Sequence, residues 1–424
     1  MKKISLVAIL MLCISILSGC GQGSSKDSVG AGEEGKTVIS FINGFTGADG
    51  PFMTKIVDGF NNSQDKYVVE QLQTADHYVK FKSDDFDMLI IHSDWISTYH
   101  QDGFLKEVSD IYDMAGLSFE DDFHPKTQSY AKYDDGVFAF PLDLYAYTMY
   151  YNKEFVADDE VPTTYEDLVD LSKKLDSENS GVYTLGLPLT GDHQWAYMTF
   201  LTQMGVDFVK DGHIKLDTEE AADAFMKINQ LIYKDKISPA NLGANDQFNP
   251  FVKKSEGNTN IQTAISLTGP WNYTPAKEVW GDNLGIATIP VMGDELKVPA
   301  GGHNFAVSAK VEDEEKLKGI AEFMKYAYNP EVMINWADSG QAPIHLGTME
   351  EVKNNPEKYP VAQVNYGIFD KAEILPAIYN VREQVKYVNE TVWAMVITTP
   401  DLKKEALMEE LKTATEIAKE LSEQ

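Results

Sequence analysis

Short apolar runs alternate with helical repeats of apolar residues along the chain after residue 36. Residues 37–42, 67–72 and 86–91 are runs rich in β-branched and aromatic side chains, which predict strands. Between the first two runs, four side chains recur at the spacing of one helix face: Phe52, Ile56, Val57 and Phe60. This strand–helix–strand alternation predicts an α/β fold with a parallel sheet and helices on both faces.

Later segments continue the helical pattern. Thr163 and Glu166 are predicted to form a capping box that begins a helix. Residues 218–234, 313–328 and 402–421 have the periodicity of amphipathic helices. Ligands of open α/β sheets bind in the loops at the carboxyl ends of the strands, so we expect the functional site in such loops.

The first twenty residues follow a different pattern. Lys2 and Lys3 precede an apolar run over residues 4–17, which is shorter than the ~20 residues of a membrane-spanning helix. The sequence Leu-Ser-Gly-Cys then ends at Cys20, and the whole resembles the signal peptide and lipobox of bacterial lipoproteins. The resemblance implies a signal peptide over residues 1–20, cut before Cys20. It also implies lipid, including palmitate, on that cysteine, which would anchor the chain at the extracellular face of the cell membrane or in the periplasm.

Residues 21–35 are a predicted flexible tether, because they consist largely of Gly, Ser, Glu and Lys. The end of the tether, residues 30–37 (GAGEEGKT), matches the P-loop pattern. A P-loop lies between a strand and a helix, whereas here a tether precedes the match and a predicted strand follows it. Nucleotide binding is therefore not predicted.

Cysteine content and charge exclude further classes of protein. The only cysteines are Cys13 and Cys20, so the mature chain has no thiol for a disulfide, a nucleophile or a zinc site. The net charge of −30 would repel a phosphate backbone, which argues against nucleic-acid binding. The length and the 43% hydrophobic content suffice for two domains. We expect a monomer.

Motifs of catalysis and cofactor binding are missing from the sequence. There is no HExxH, GxSxG or CxxC, and no GxGxxG after a predicted strand. The eight histidines are scattered, without the spacing of a helical metal site. These observations argue against an enzyme. A glycoside hydrolase stays open, because its two carboxylates can lie far apart in the sequence.

Aromatic residues stand beside polar groups in four segments: residues 93–95, 141–147, 193–195 and 268–273. A pyranose ring has an apolar face that packs on an aromatic ring, and carboxylates accept hydrogen bonds from its hydroxyls. The pattern therefore favours a sugar ligand. The tryptophans predicted to lie in the core are Trp280, Trp336 and Trp393.

Five segments, taken in order, resemble the sugar-binding extracellular solute-binding proteins of ABC importers, the group similar to maltose-binding protein. They are residues 144–155 (LYAYTMYYNKEF), 161–168 (VPTTYEDL), 268–271 (TGPW), 301–308 (GGHNFAVS) and 323–343 (FMKYAYNPEVMINWADSGQAP). The resemblance implies a two-lobe, type II periplasmic-binding-protein fold with the ligand cleft between the lobes. It implies the following division: lobe 1 at 36–142 and 303–339, lobe 2 at 148–298 and 344–424, and hinge crossings at 143–147, 299–302 and 340–343.

The ligand-binding residues are carried over from the same resemblance. It implies a set spread over both lobes: Asn43, Phe45, Asp94, Trp95, Asp143, Tyr145, Trp195, Trp271, Tyr379 and Arg382. Trp271, in the GPW segment, matches the family most clearly. Arg382 is the only arginine in the chain, and its planar set of donors suits hydroxyl or carboxylate oxygens.

The function implied by the resemblance is capture of a sugar or oligosaccharide between the lobes and delivery to an ABC permease. Such a protein would not be an enzyme and would need no cofactor or metal. Ligand binding would shift the lobes toward a closed form. The alternatives that stay open are a peptide, polyamine or glycosaminoglycan fragment as ligand of the same fold, a surface-anchored glycoside hydrolase, and an adhesin for host glycans.

Overall fold

The computed structural model describes residues 35–253 and 261–424. The predicted signal peptide, Cys20 and nearly all of the predicted tether lie outside the described residues. Strand β1 begins at Thr37, so the element after the P-loop-like sequence is a strand, and the helix that a P-loop needs does not follow. Among the described residues, no helix is both long and apolar enough to cross a membrane.

The strands of the described residues are mostly short, and many have only two residues. In chain order they are β1 Thr37–Asn43, β2 Tyr67–Gln73, β3 Met88–His92, β4 Lys132–Tyr133, β5 Gly136–Val137, β6 Phe140–Pro141, β7 Tyr145–Ala146, β8 Thr148–Asn152, β9 Val182–Tyr183, β10 Val209–Lys210, β11 His213–Ile214, β12 Gln262–Thr263, β13 Ile265–Thr268, β14 Leu284–Thr288, β15 Val298–Gly301, β16 His303–Val307 and β17 Ala372–Ile374.

The α-helices of the same residues alternate with these strands. In chain order they are α1 Gly50–Ser63, α2 His77–Ser83, α3 Ser93–Gln101, α4 Ser109–Ala115, α5 Phe119–Asp122, α6 Gln128–Ala131, α7 Tyr165–Leu175, α8 Ser177–Ser180, α9 His193–Gln203, α10 Glu219–Tyr233, α11 Tyr273–Trp280, α12 Glu314–Ala327, α13 Pro330–Ala337, α14 Leu346–Lys353, α15 Pro360–Gly367, α16 Val381–Gln384, α17 Trp393–Thr398 and α18 Lys404–Ser422.

The first lobe is built on a five-stranded sheet in the order β2-β1-β3-β16-β6. Strands β2, β1 and β3 are parallel, as predicted, whereas β16 and β6 run antiparallel to their neighbours. The difference has a topological cause, because β16 enters directly from the hinge strand β15 without a crossover helix. It therefore starts at the edge where β3 ends, and its first residue, His303, pairs with His92, the last residue of β3.

Helices α1 and α12 cover this sheet with the apolar faces that the sequence pattern indicates. Ile56, Val57 and Phe60 of α1 are buried. The ring of Phe60 lies 5.3 Å from that of Phe323 on α12, which also contacts the sheet through Phe41 at 6.2 Å. Burial of each such side chain contributes about 1.5–3 kcal/mol, so this layer is a main source of stability for the lobe.

The second lobe contains the antiparallel sheet β13-β8-β14, surrounded by helices. Its helix α7 begins one residue later than the sequence predicts. The hydroxyl of Thr164 accepts from the backbone N–H of Asp167, and the Asp167 carboxylate accepts from the backbone N–H of Thr164. The capping box is therefore Thr164 with Asp167, and the predicted pair of Thr163 and Glu166 is wrong. Thr164 has the extended backbone that an N-cap needs.

The hinge is a small sheet in the order β17-β15-β7. Strands β7 and β15 fall in the first two predicted crossings, and Pro343 of the third pairs with Asp143 beside them. The sequence did not predict β17, which pairs with β15 in parallel. His345, one residue after the predicted start of the second part of lobe 2 at residue 344, pairs with Phe123 of the first lobe. The three tryptophans predicted for the core are buried.

Candidate ligand-binding site

A cavity of about 240 Å³ lies between the two lobes, beside the hinge. Its first-lobe wall comes from the loop after β1 and from the end of β3, and its second-lobe wall comes from the loops before α9 and after β13. The residues that line it are Gly44, Phe45, Asp49, Ile90, His92, Tyr145, Asp192, Trp195, Trp271, His303 and Arg382. The mixture of rings with a few polar groups is typical of a small-ligand site, and the volume lies just below the roughly 300–1,000 Å³ of drug-sized pockets.

His92 is held in one orientation by Tyr78. The Tyr78 hydroxyl accepts from the backbone N–H of His92 at 2.8 Å and lies 2.6 Å from its Nδ1. Burial, together with nearby His303 and Arg382, lowers the pKa of His92 well below its usual value. The imidazole is therefore neutral, and because the hydroxyl donates its proton to Nδ1, the Nε2–H is left as a donor toward the cavity wall.

His303 is held by a fully buried carboxylate. Asp143 accepts from the backbone N–H of His303 at 2.8 Å, from its Nδ1–H at 2.9 Å, and from the indole N–H of Trp336 at 2.7 Å. The imidazole ring is thereby fixed against Phe45 at 4.9 Å and Tyr145 at 4.7 Å between ring centroids. Asp143 thus orients a residue of the cavity wall without reaching the cavity itself.

The second-lobe wall is a cluster of aromatic rings. The centroid of Trp195 lies 5.9 Å from that of Trp271, and Tyr145 contacts both at 5.8 and 5.6 Å. Trp195 stands in the first turn of α9, and Trp271 follows Gly269 and Pro270 after β13. A Cβ atom on Gly269 would stand 2.0 Å from the Trp271 ring, so the close approach of backbone and indole requires glycine there.

Two carboxylates line the cavity, one from each lobe. Asp192 precedes α9, and burial raises its pKa to about 6, although hydrogen bonds from Gln247 and Trp271 offset part of the rise. The Gln247 amide donates to it at 2.9 Å. Asp49 precedes α1, and burial raises its pKa as well, opposed by the nearby His303. Both side chains are half-buried, and a carboxylate removed from water without a cation is costly, so both groups favour a ligand that donates to them.

The lobes touch each other at a set of contacts that we call the interlobe clasp. In it, three residues of the second lobe, Tyr379, Asn380 and Arg382, contact helix α3 and the residue after it, Asp102. Arg382 Nε forms an ion pair with Asp94, whose side chain is 3% exposed. The backbone N–H of Asn380 donates to the Thr98 hydroxyl at 2.9 Å, and the Tyr379 hydroxyl donates to Asp102 at 3.1 Å. The clasp therefore closes one side of the cavity and holds the lobes together.

The structure brings some of the predicted site residues to the cavity and places others elsewhere. Those that line it are Phe45, Tyr145, Trp195, Trp271 and Arg382. Asp94 and Asp143 lie one layer behind, as partners of Arg382 and His303. Asn43 is buried, and its side chain accepts from the backbone N–H of Phe45 at 3.0 Å, which shapes the loop.

The remaining two predicted site residues lie away from the cavity wall. Trp95 stacks on Tyr78 at 4.7 Å, outside the cavity, because its position in the first turn of α3 turns the indole toward the packed side of the helix. Tyr379 contacts Asp102 in the clasp. Neither residue lines the cavity, and ligand contact by these two residues stays a prediction.

Four polar lining residues were missed from the sequence: Asp49, His92, Asp192 and His303. A signal for three of them was present, because His92 directly follows a predicted strand, His303 lies in the GGHNFAVS segment, and Asp192 precedes the His-Gln-Trp segment. Asp49 has no such signal. No group of three or more His, Cys, Asp or Glu side chains that could hold a metal ion occurs among the described residues.

Comparisons with known proteins agree with this architecture. The family model described as bacterial extracellular solute-binding protein matches residues 59–360. A galactooligosaccharide-binding protein of Bacillus subtilis is 26% identical over 249 residues, and the match covers 56% of each chain. The chain thus spans little more than half the length of that relative. The sn-glycerol-3-phosphate-binding periplasmic protein UgpB of Brucella abortus is 22% identical over 80% of this chain and 82% of its own.

Solved structures share the fold. Maltose-bound MalE3 of T. maritima superposes with a TM-score of 0.74 at 19% identity, over 90% of this chain and 98% of its own. The GacH receptor of Streptomyces glaucescens, studied without ligand and with acarbose, gives a TM-score of 0.74 at 20% identity, over 91% and 99% of the two chains. At this identity the likeness establishes the two-lobe fold, and the ligand has to be argued from the cavity.

Proposed function

The chain belongs to the family of bacterial extracellular solute-binding proteins, and on that premise we propose that its interlobe cavity captures a sugar or oligosaccharide for an ABC permease. The family consists of substrate-binding transport proteins and not of enzymes. The single observation that carries the proposal is the contact of Trp195, Trp271 and Tyr145 in one wall of the cavity.

The two cavity walls complement the two kinds of surface that a sugar has. The indole rings offer flat apolar area for the CH face of a pyranose, with little rotamer entropy to lose. Asp49 and Asp192 accept hydrogen bonds from hydroxyls, and neutral His92 donates one. The proteins to which the chain is similar include a galactooligosaccharide-binding protein and a maltose-bound protein, which supports the same ligand class.

Delivery requires a difference between the empty and the loaded protein. We propose that ligand contacts both walls only when the lobes are closed, so that binding adds to the clasp in favouring the closed form. A membrane permease would then bind the surface that the closed form presents. The clasp uses the only arginine of the chain.

Attachment to the membrane is a separate part of the proposal. The sequence before Cys20 supports processing as a lipoprotein, which would hold a monomeric binding protein at the outer face of the cell membrane. Metabolic labelling with palmitate followed by mass spectrometry of the N-terminal peptide tests this. We expect diacylglycerol on Cys20, and release of Cys20→Ser into the medium. An unmodified N-terminal peptide from membrane-associated protein would contradict the anchor.

Binding is tested on the mature chain from residue 21 by a thermal-shift screen of mono- and oligosaccharides, peptides and polyamines, followed by calorimetric titration. A ligand at about 100 times its Kd adds about 2.7 kcal/mol to stability, which shifts the melting temperature visibly. We expect a sugar to bind, with binding weakened in Trp271→Ala. Trp95→Ala is the matched control, because the same residue type is removed outside the cavity. Binding of a peptide or polyamine, with no sugar active, would overturn the sugar and leave the family membership intact.

A further inference from the structure

The charges around the cavity are unequal. The one guanidinium of the chain, Arg382, is already paired with Asp94, which has almost no exposure to solvent. No lysine lines the cavity in the described part of the chain, and His92 is neutral. Asp143 is bound to His303 behind the wall. The cavity therefore offers an anion no uncompensated positive charge.

Negative charge, in contrast, is left without a counter-charge. Asp192 receives hydrogen bonds only from the neutral groups of Gln247 and Trp271, and no charged side chain pairs with it among the described residues. Asp49 lines the same cavity from the opposite lobe, with His303 as its nearest titratable neighbour. Each lobe thus contributes one carboxylate whose pKa burial raises, and a positively charged ligand would compensate that cost.

An ammonium group suits this surrounding better than a hydroxyl does. A sugar hydroxyl donates one hydrogen bond to a carboxylate and leaves the negative charge of the carboxylate uncompensated. A primary ammonium instead supplies three donors and a positive charge. Trp195 and Trp271 line the same cavity, and the face of an indole ring attracts a cation through its quadrupole. A phosphate or carboxylate on the ligand would instead meet like charge from both lobes.

We propose that the ligand is an amino sugar whose protonated amine is held by Asp192 against the indole rings, which makes Asp192 the residue that determines specificity. The inference rests on the proposed function and narrows its ligand class. Trp195 and Trp271 provide apolar area for the sugar ring, and Asp192 binds the amine substituent of that ring. Neutral sugars of the same shape bind more weakly, and phosphorylated ones do not bind.

The test is calorimetric titration of the mature protein with matched pairs that differ in one group. The pairs are glucosamine with glucose, galactosamine with galactose, mannosamine with mannose, and chitosan oligomers with cello-oligomers, with spermidine in a separate arm. At least one amine should bind roughly tenfold or more tightly than its hydroxyl twin, because a tenfold ratio needs only about 1.4 kcal/mol. Acetylation of that amine, which removes the charge, should abolish the preference.

Two variants connect the preference to the residue. Asp192→Asn should bind the amine and its hydroxyl twin about equally, while Asp170→Asn, which removes an exposed carboxylate on α7, should keep the preference. Circular dichroism and melting curves establish that both variants are folded, and the acetylated ligand tests the charge without any variant.

The outcomes separate the two proposals. A neutral sugar that binds as tightly as its amino twin, or tighter, overturns this inference and leaves the proposed function standing. Binding of spermidine with no sugar active overturns both, as does the absence of binding in every arm. An amine preference that survives in Asp192→Asn overturns the assignment of the amine to that residue.

Discussion

The two walls of the cavity are organised by different interactions. In the first-lobe wall each histidine is held by hydrogen bonds to a second side chain, His92 to Tyr78 and His303 to Asp143. In the second-lobe wall Trp195 and Trp271 are held by contact between rings and by the close backbone at Gly269. One wall is thus oriented by polar bonds that have to be satisfied, and the other by the shape of packed apolar surface.

This difference separates two roles in binding. The polar wall is arranged before any ligand arrives, so its donors and acceptors define an orientation at little cost in entropy. The aromatic wall provides the apolar area that a ligand covers. It also contains the carboxylate of Asp192, which has no charged partner among the described residues. Substitutions in the first wall should therefore lower the stability of the fold, and substitutions in the second wall should act mainly on ligand affinity.

The largest effect is expected at Asp143, where the first wall is anchored. Asp143→Ala removes the acceptor of three buried donors, from His303 and Trp336. Unpaired buried donors cost about 1–3 kcal/mol each, so we expect the free energy of unfolding to fall by about 3–4 kcal/mol in urea titrations. Asp143→Asn, which keeps one acceptor oxygen, should lose less. Equal stability of Asp143→Ala and the wild type would contradict the view that this wall is held by polar bonds.

The second wall is tested by Trp195→Ala. Loss of a ring that buries apolar surface costs about 1.5–3 kcal/mol, which corresponds to roughly 10- to 150-fold in Kd measured by calorimetry. Stability should change less than in Asp143→Ala, because Trp195 is only partly buried. Trp95→Ala should change the Kd little. If the free energy of unfolding of Trp195→Ala falls as much as its free energy of ligand binding, the two walls do not divide stability and affinity between them.

The clasp between the lobes is tested by Arg382→Met. Removal of the guanidinium leaves Asp94 buried and unpaired when the lobes are closed, whereas an open form would hydrate it. We expect the ratio of closed to open protein without ligand to fall roughly 5- to 30-fold, for a change of about 1–2 kcal/mol. Small-angle scattering should then show a larger radius of gyration. The double variant Asp94→Asn with Arg382→Met should partly restore the closed form, and an unchanged radius in the single variant would argue against the clasp.

The smallest effect is a dependence of stability on pH at Asp192. Its pKa is about 6 in the folded chain, against about 3.9 for an unfolded aspartate. The folded chain holds the proton more tightly, so this group lowers the free energy of unfolding as pH rises from about 4 to about 6. A shift of about two pKa units corresponds to at most about 3 kcal/mol, and water that reaches this partly exposed side chain reduces it. Asp192→Asn, which cannot ionise, should therefore exceed the wild type by about 1 kcal/mol at pH 7.5 and by almost nothing at pH 4. Parallel stability curves for the two proteins would show that Asp192 does not titrate in this range.

Local pattern was sufficient for most of the fold. The strands β1, β2 and β3 and the long helices α1, α10, α12 and α18 agree with their predictions to within a few residues, because alternation and helical spacing are properties of neighbours in the chain. Motifs also identified the rings of the second wall, since Trp195, Trp271 and Tyr145 stand in segments crowded with aromatic residues. The direction of β16 depended on how the chain crosses the hinge, which no local pattern records.

The sequence alone determined the strands β1–β3, the long helices, the rings of the aromatic wall and the single arginine. Only the tertiary structure decided that Asp143 meets His303 and Trp336, which are 160 and 193 residues away in the chain, and that Asp94 meets Arg382. It also decided that Asp49 and Asp192 face one cavity from opposite lobes. The physical reason is that a carboxylate has the same local signal whether it is solvated, paired or free, and only packing across the hinge determines its surroundings.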